Sequence, residues 1–437
     1  MDFSDIYTLY QKHQVLTTDS RNCPKGSIFL ALKGSSFDGN KFASSALRDG
    51  CSYAIVDEAE YVVPGDERYI LVSDCLQTYK DLAREHRRRF SIPVIGITGT
   101  NGKTTTKELI AAVLQERYKV LYTQGNFNND VGVPKTLFRL DETHEIAVIE
   151  MGASHPGDIK TLVETAEPTC GLITNVGRAH LQGFGSFEGV INTKGELYDY
   201  LRTRPDSFAF IDADNPYLEK ISHGLNLLKY GCRENDSLFV RGELVECAPF
   251  LCFKWQRTDV PNSATYEVKT SMIGAYNISN MLAAISVGLK FGVDANLINR
   301  ALENYCPSNN RSQLTVTSRN HLIVDAYNAN PTSMAAALDN FEKIRAAKKM
   351  VILGEMRELG TASREEHQRI VEMLSRMNLD EVWLVGEEFM NIQSTFRKFR
   401  DVGEVKAALQ ATACPEGFYI LIKGSNGTHL YELPSLL

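Results

Sequence analysis

The residues with the clearest chemical use lie between 95 and 106, in Ile95-Gly-Ile-Thr-Gly-Thr-Asn-Gly-Lys-Thr-Thr-Thr106. Gly99, Thr100, Asn101 and Gly102 form a turn whose small and amide residues tolerate unusual backbone angles, so that its N–H groups can point inward at one anion. Lys103 adds a charge long enough to reach terminal phosphates, and the hydroxyl of Thr104 or Thr105 is placed to bind Mg2+. A nucleoside triphosphate, ATP or GTP, is the ligand such a set would hold. One position departs from the general phosphate-loop pattern, which has Gly where this chain has Ile97.

Two elements must position that turn. Residues 93–97 are a short, β-branched apolar run, as in a buried strand. From 104 onward, Leu109, Ile110, Val113 and Leu114 recur on one helical face. A strand, a glycine turn and a helix start together make an anion site, because the helix dipole favours negative charge at its amino end.

The 437 residues suggest two to four domains, each able to bury a core. With 43% hydrophobic and 23% charged residues and a net charge of −7, the composition is that of ordinary soluble protein and argues against a dominant nucleic-acid surface. No apolar run approaches the ~20 residues of a membrane span, and residues 1–7 lack a signal-peptide pattern. The nine cysteines are scattered, and Cys247 and Cys252 have no second pair to complete a zinc site. A cytoplasmic, monomeric protein with reduced cysteines is expected, with neither membrane insertion nor nucleic-acid partner.

The expected fold class is α/β in three domains: a small mixed α/β domain over 1–88, a central parallel-sheet ATPase domain over 89–306 and a Rossmann-like domain over 307–437. In the first, Ser20-Arg21 reads as a capped turn with a solvated arginine, and Lys33-Gly34 ends a strand. In the second, strands are expected at 92–98, 119–123, 145–151, 170–174 and 207–211, alternating with helices or loops, so ligands should gather at the strands' carboxyl ends. Glu150 stands at such an end, in the usual place for a metal-binding acid of a nucleotide fold, and Asn175 and His180 follow another. Residues 230–275 read as an antiparallel insertion. Asn277 and Asn280 share a helix face, where they serve as a cap or meet a base or ribose. In the third domain four strands, near 322, 350, 382 and 419, end in polar loops carrying Asp325, Asn328, Asn330, Lys423 and Ser425.

At this point five ordered motifs carry a resemblance. Gly99-Thr-Asn-Gly-Lys-Thr-Thr105 is similar to the ATP loop of the Mur ligases, the ATP-dependent amide-forming enzymes of peptidoglycan precursor synthesis. The segments 123–134, 175–186, 327–334 and 353–360 resemble the branch that joins D-alanyl-D-alanine to UDP-N-acetylmuramoyl-tripeptide, and the likeness runs from about 17 to 427. It implies catalytic roles for Lys103, Lys194 and His180, with Thr104, Glu150, His180 and Lys194 holding two Mg2+ ions. Lys194 matches a lysine that is carbamylated in the family. The nucleotide would meet residues 99–105, Asn277, Asn280, Arg311 and Asp325, while Ser20, Arg21, Lys33, Gly34, Asn128, Asn328 and Asn330 would meet the other substrates. The chain departs from the family at Tyr276, where His is usual, at Asn426, where Arg is common, and at Arg178, where an acid often stands.

The implied reaction needs carboxylate activation, since oxide is a poor leaving group. The tripeptide carboxylate would attack the γ-phosphate of ATP to give an acyl phosphate and ADP, and the dipeptide amine would then displace phosphate. His180 is a candidate base for the amine but fits better as a metal ligand. Rival readings are the ligase that adds diaminopimelate or lysine, whose Asp-Asn-Pro-Arg signature this chain lacks, folylpolyglutamate synthase, and a non-catalytic nucleotide switch.

Overall fold

The computed structural model describes residues 2–234, 237–307, 313–411 and 415–437. By internal contacts the chain divides into two compact units, Met1–Ile92 with Thr123–His144 and Thr161–Glu167, and Pro93–Tyr122 with Glu145–Lys160 and Pro168–Leu437. The α/β class and the amino-terminal, central and carboxyl-terminal sheets are those expected from the sequence.

The first unit is built on four parallel strands in sequential order, β1 (Leu16–Thr17), β2 (Ile28–Leu30), β3 (Tyr53–Val56) and β4 (Tyr69–Leu71). Short apolar runs such as Ile28-Phe-Leu30 are buried throughout, as a sheet covered on both faces requires. The helix Phe3–His13 begins in a capping box between Asp2 and Asp5, and Cys75–Arg88 is capped by the Asp74 side chain. Residues 123–144 join this core although they lie between two strands of the central sheet. Their Phe138 ring sits 5.0 Å from Tyr10 and 5.3 Å from Tyr79.

The second unit holds two sheets. β5 (Val94–Thr98), β6 (Val120–Tyr122), β7 (Ile146–Glu150), β8 (Cys170–Ile173), β9 (Phe208–Asp212), β10 (Leu227–Gly231), β11 (Leu238–Cys247), β12 (Phe250–Arg257) and β13 (Thr265–Ile273) form one, in the order β13-β12-β11-β10-β9-β8-β5-β7-β6. Pairing is parallel from β6 to β11 and antiparallel only for β12 and β13. The stretch 230–275 is therefore an extension of the central sheet whose last two pairings are antiparallel. Strand order reverses at β5, so β7 and β8 flank it and the crevice beyond its carboxyl end lies at the switch point.

The carboxyl-terminal sheet contains β14 (Gln313–Val316), β15 (His321–Asp325), β16 (Lys349–Gly354), β17 (Glu381–Val385), β18 (Arg397–Phe399) and β19 (Tyr419–Lys423), in the order β14-β15-β19-β16-β17-β18. β14 and β18 are additional to the four strands read from the sequence. Both are short, partly exposed edges, where the apolar signal is weak.

Helix Ile278–Lys290 packs on the phosphate-loop helix Lys103–Gln115, and small residues allow a close approach: a Cβ on Gly288 would meet Val113 of that helix at 2.5 Å. A buried polar chain ties the two helices. Thr106 Oγ1 donates to Asn280 Oδ1 at 2.9 Å, Asn280 Nδ2 to Asn277 Oδ1 at 2.8 Å, and Asn277 Nδ2 to the Ile273 carbonyl at 2.8 Å. Asn280→Ala leaves two buried polar groups without this partner, at a cost of about 1–3 kcal/mol each. The expected result is a lower urea midpoint with weaker ATP binding, and an unchanged midpoint in equilibrium unfolding would place the stability of this contact elsewhere.

Candidate active site

β5 ends at Thr98, and the chain turns at Gly99 with φ +143°, a conformation that disfavours any side chain. A Cβ there would also stand 3.0 Å from the Thr174 backbone nitrogen. The loop is held from β8. The Thr100 N–H donates to the Asn175 carbonyl at 2.9 Å and the Asn101 N–H to Asn175 Oδ1 at 3.0 Å. In return Asn175 Nδ2 and Thr174 Oγ1 donate to the Asn101 carbonyl at 3.0 and 2.6 Å. Gly102, at φ +78°, precedes the helix and backs directly on Asn280, whose Oδ1 a Cβ would approach to 2.8 Å. Thus Asn277 and Asn280 are both buried and support the loop from behind.

Lys103 folds over this cradle, donating to the carbonyls of Gly99 at 2.7 Å and Thr100 at 3.0 Å. Its charge is felt by two other basic side chains. Lys194, 2% exposed on the helix Phe187–Arg202, has its pKa driven well below the ordinary lysine value by burial first and by Lys103 second. His180 is also pushed down by burial, with Lys103 and Lys194 adding to the shift and Glu358 opposing it. Lys194 Nζ lies 5.2 Å from the Phe184 ring centre. Lys103 with the inward N–H groups of the cradle suits a polyanion, while the lowered pKa values of Lys194 and His180 favour their neutral forms.

Glu150 ends β7 in register with Ile97 of β5, and its Oε1 accepts from Thr104 Oγ1 at 3.1 Å. Two buried hard-oxygen groups side by side fit Mg2+, which is commonly held by one or two protein ligands plus substrate phosphates. Among the described residues no three His, Cys, Asp or Glu side chains stand together as a ready metal cage. His180 pairs with Glu358, and Lys194 becomes a fitting oxygen ligand only once carbamylated. Thr105 is partly buried one residue on. The buried cation Lys107, 4.0 Å from Glu150 Oε2, was not singled out in the sequence, although it follows Lys103 by one helical turn.

The carboxyl-terminal residues reach this centre through Asn330. Its side chain caps the helix Pro331–Lys343 and exchanges amide hydrogen bonds with Asn101, at 2.7 and 3.3 Å. Asp325 accepts from buried Lys423 at 2.6 Å, and Lys423 also donates to the Asn328 carbonyl at 3.2 Å, while the Asn328 side chain is exposed. Arg311 lies outside the described residues.

In the other unit, Arg21 is exposed and makes a forked pair with Asp19 at 2.8 and 2.9 Å, which holds the Asp19 pKa at about 2. Ser20 stands in the turn beside it. Lys33 bridges Asp57 at 2.9 Å and Glu58 at 2.7 Å, which raises its pKa, and Gly34 adjoins the exposed Phe37. Asn128 lies in the 123–144 segment, where its N–H donates to the Asn126 carbonyl at 2.8 Å.

Comparison with known proteins agrees along the whole chain. The Mur ligase family catalytic domain matches residues 12–87, the Mur ligase middle domain 97–288 and the Mur ligase glutamate ligase domain 310–426. A UDP-N-acetylmuramoyl-tripeptide–D-alanyl-D-alanine ligase of Bacillus subtilis is 33% identical over 96% of this chain and 92% of its own length. MurF from Acinetobacter baumannii superposes with a TM-score of 0.87 at 28% identity, over 98% of this chain and 97% of that one. The MurF ligase of Thermotoga maritima, solved in complex with ADP, gives 0.86 at 28% over 97% of both. The chain belongs to the Mur ligase family.

Proposed function

We propose that this protein is an ATP-dependent, ADP-forming ligase that joins D-alanyl-D-alanine to UDP-N-acetylmuramoyl-tripeptide in peptidoglycan precursor synthesis. The observation that carries the reading is the grouping of Lys103, His180 and Lys194 around the preformed phosphate loop, in a chain whose relatives of that name match it from end to end. A nucleotide switch has no use for His180 and Lys194 as ligands of a second metal ion.

The tripeptide's terminal carboxylate oxygen attacks the γ-phosphorus, and the bond to the β–γ bridging oxygen breaks to release ADP. The dipeptide's free amine then adds to the acyl phosphate carbonyl. Loss of the amine proton and cleavage of the carbon–oxygen bond release inorganic phosphate and leave the amide. Lys103 and the loop amides hold the phosphates in line and offset the charge, so most of the rate comes from positioning and electrostatics. When bound, Mg2+ would draw charge from the phosphate oxygens, held by Thr104, Glu150, His180 and carbamylated Lys194. The depressed Lys194 pKa supports that modification, because a neutral amine adds to carbon dioxide and releases a proton. Asp325 and Arg311 are proposed on the nucleotide side, with Asn328 and Asn330 towards the joining substrates. Ser20, Arg21, Lys33, Gly34 and Asn128 are proposed for the UDP-sugar end.

Phosphate release from ATP and UDP-N-acetylmuramoyl-tripeptide should depend on D-alanyl-D-alanine and yield the pentapeptide product by mass. Release only with a single amino acid and a dipeptide precursor would move the protein to another ligase branch, and tight ATP binding without release would favour the switch. Lys103→Ala should lower kcat/KM by roughly 10²–10³-fold. Lys194→Arg keeps a long basic side chain but forms no stable carbamate, so it should abolish most activity, and the wild-type protein equilibrated with bicarbonate should gain the mass of one carbon dioxide. Full activity of Lys194→Arg would contradict the carbamate.

A further inference from the structure

Glu150 would hold a metal ion from a place where its side chain is only 1% exposed. Which way each carboxylate oxygen faces therefore decides whether one of them reaches the metal. Oε1 accepts from the Thr104 hydroxyl at 3.1 Å. Oε2 faces Lys107, whose Nζ lies 4.0 Å away and whose side chain is equally buried. Thr104 and Lys107 stand three apart on the helix Lys103–Gln115 and so share one of its faces. That face grips the carboxylate at both oxygens, with a hydroxyl on one and an ammonium on the other.

The ammonium is itself held in place. It lies 3.5 Å from Glu108 Oε1 and 5.7 Å from the centre of the Tyr122 ring. Glu108 accepts in turn from the Tyr305 hydroxyl at 2.6 Å, just beyond the helix Ala295–Asn304. Both Lys107 contacts are longer than the roughly 2.7–2.9 Å of a tight charged pair, so the lysine sits between two carboxylates and closes on neither. One ammonium facing two carboxylates also leaves a net negative formal charge, which keeps the cluster attractive to a divalent cation. Lys103, one turn earlier, rests instead on the Gly99 and Thr100 carbonyls, so the two lysines have separate tasks. Resting on the reading of Glu150 as a Mg2+ ligand, we infer that Lys107 is a positioning residue for the metal. It holds Glu150 Oε2 so that Oε1, beside Thr104 Oγ1, is presented to the ion.

The test compares dissociation constants of the non-hydrolysable analogue β,γ-methylene-ATP, by calorimetry, in Mg2+ and in EDTA. In wild type, Mg2+ should tighten the analogue. Lys107→Met should lose on the order of ten-fold of that gain, the usual cost of freeing a metal ligand from its support, while the EDTA value stays within about two-fold. Lys107→Gln, neutral but able to hydrogen-bond in the buried site, should behave alike, and Lys107→Arg should keep most of the gain. In a Glu150→Gln background Lys107→Met should cost nothing further, because the group it positions is gone. Equal losses in Mg2+ and in EDTA would make Lys107 a support of the whole loop and overturn the inference. A full Mg2+ gain in both neutral variants, or an undiminished cost in the Glu150→Gln background, overturns it as well. Glu150→Gln that keeps the full wild-type gain would instead sink the assignment of Glu150 to the metal, and this inference with it.

Discussion

The phosphate loop keeps its shape because the end of β8 grips it. Asn175 answers two consecutive loop residues, accepting from the Thr100 and Asn101 N–H groups and donating back to the Asn101 carbonyl, while Thr174 fills the space left by the absent Gly99 side chain. A free glycine-rich loop would have to be ordered when nucleotide arrives, at a cost of about 1–2 kcal/mol per residue in backbone entropy. Here that ordering is already met by hydrogen bonds within the protein, and Asn280 buttresses the loop from the opposite side.

What the loop organises is a set of basic side chains in a sheltered place. Burial first, and then Lys103, lower the pKa of Lys194, and burial together with Lys103 and Lys194 lowers that of His180. Phosphate oxygens entering the loop would offset the Lys103 charge that lowers both pKa values. The structure meets some of that charge locally. Lys103 rests on two loop carbonyls, and His180 pairs with Glu358 from the carboxyl-terminal sheet's side of the unit.

Much of this was readable from residues 93–114, where a β-branched strand, a glycine turn and an apolar helical face follow one another. Ile97 illustrates why the loop works despite departing from the general pattern: position 97 is still inside β5 and fully buried, and the turn that needs a positive φ starts at Gly99. Glu150 was legible for the same reason, being the polar end of an apolar run. Pairings across long separations were not. Nothing local in Asp325 announces Lys423, nor in Asn330 its amide exchange with Asn101, since spacing carries no signal over 98 or 229 residues. Asn277 and Asn280 share a face as expected, yet that face is turned into the protein, a fact decided by the packing of Ile278–Lys290 on the loop helix. Residues 123–144 likewise gave no sign that Phe138 would pack among Tyr10 and Tyr79.

The central claim is that γ-phosphate passes to a carboxylate before the amide forms, and oxygen tracing tests it most directly. UDP-N-acetylmuramoyl-tripeptide carrying heavy oxygen in its terminal carboxylate would be turned over with ATP and D-alanyl-D-alanine, and the released phosphate analysed by mass. Cleavage of the acyl carbon–oxygen bond sends one labelled oxygen into each phosphate, and that is the predicted result. Amide product formed with unlabelled phosphate would contradict the account.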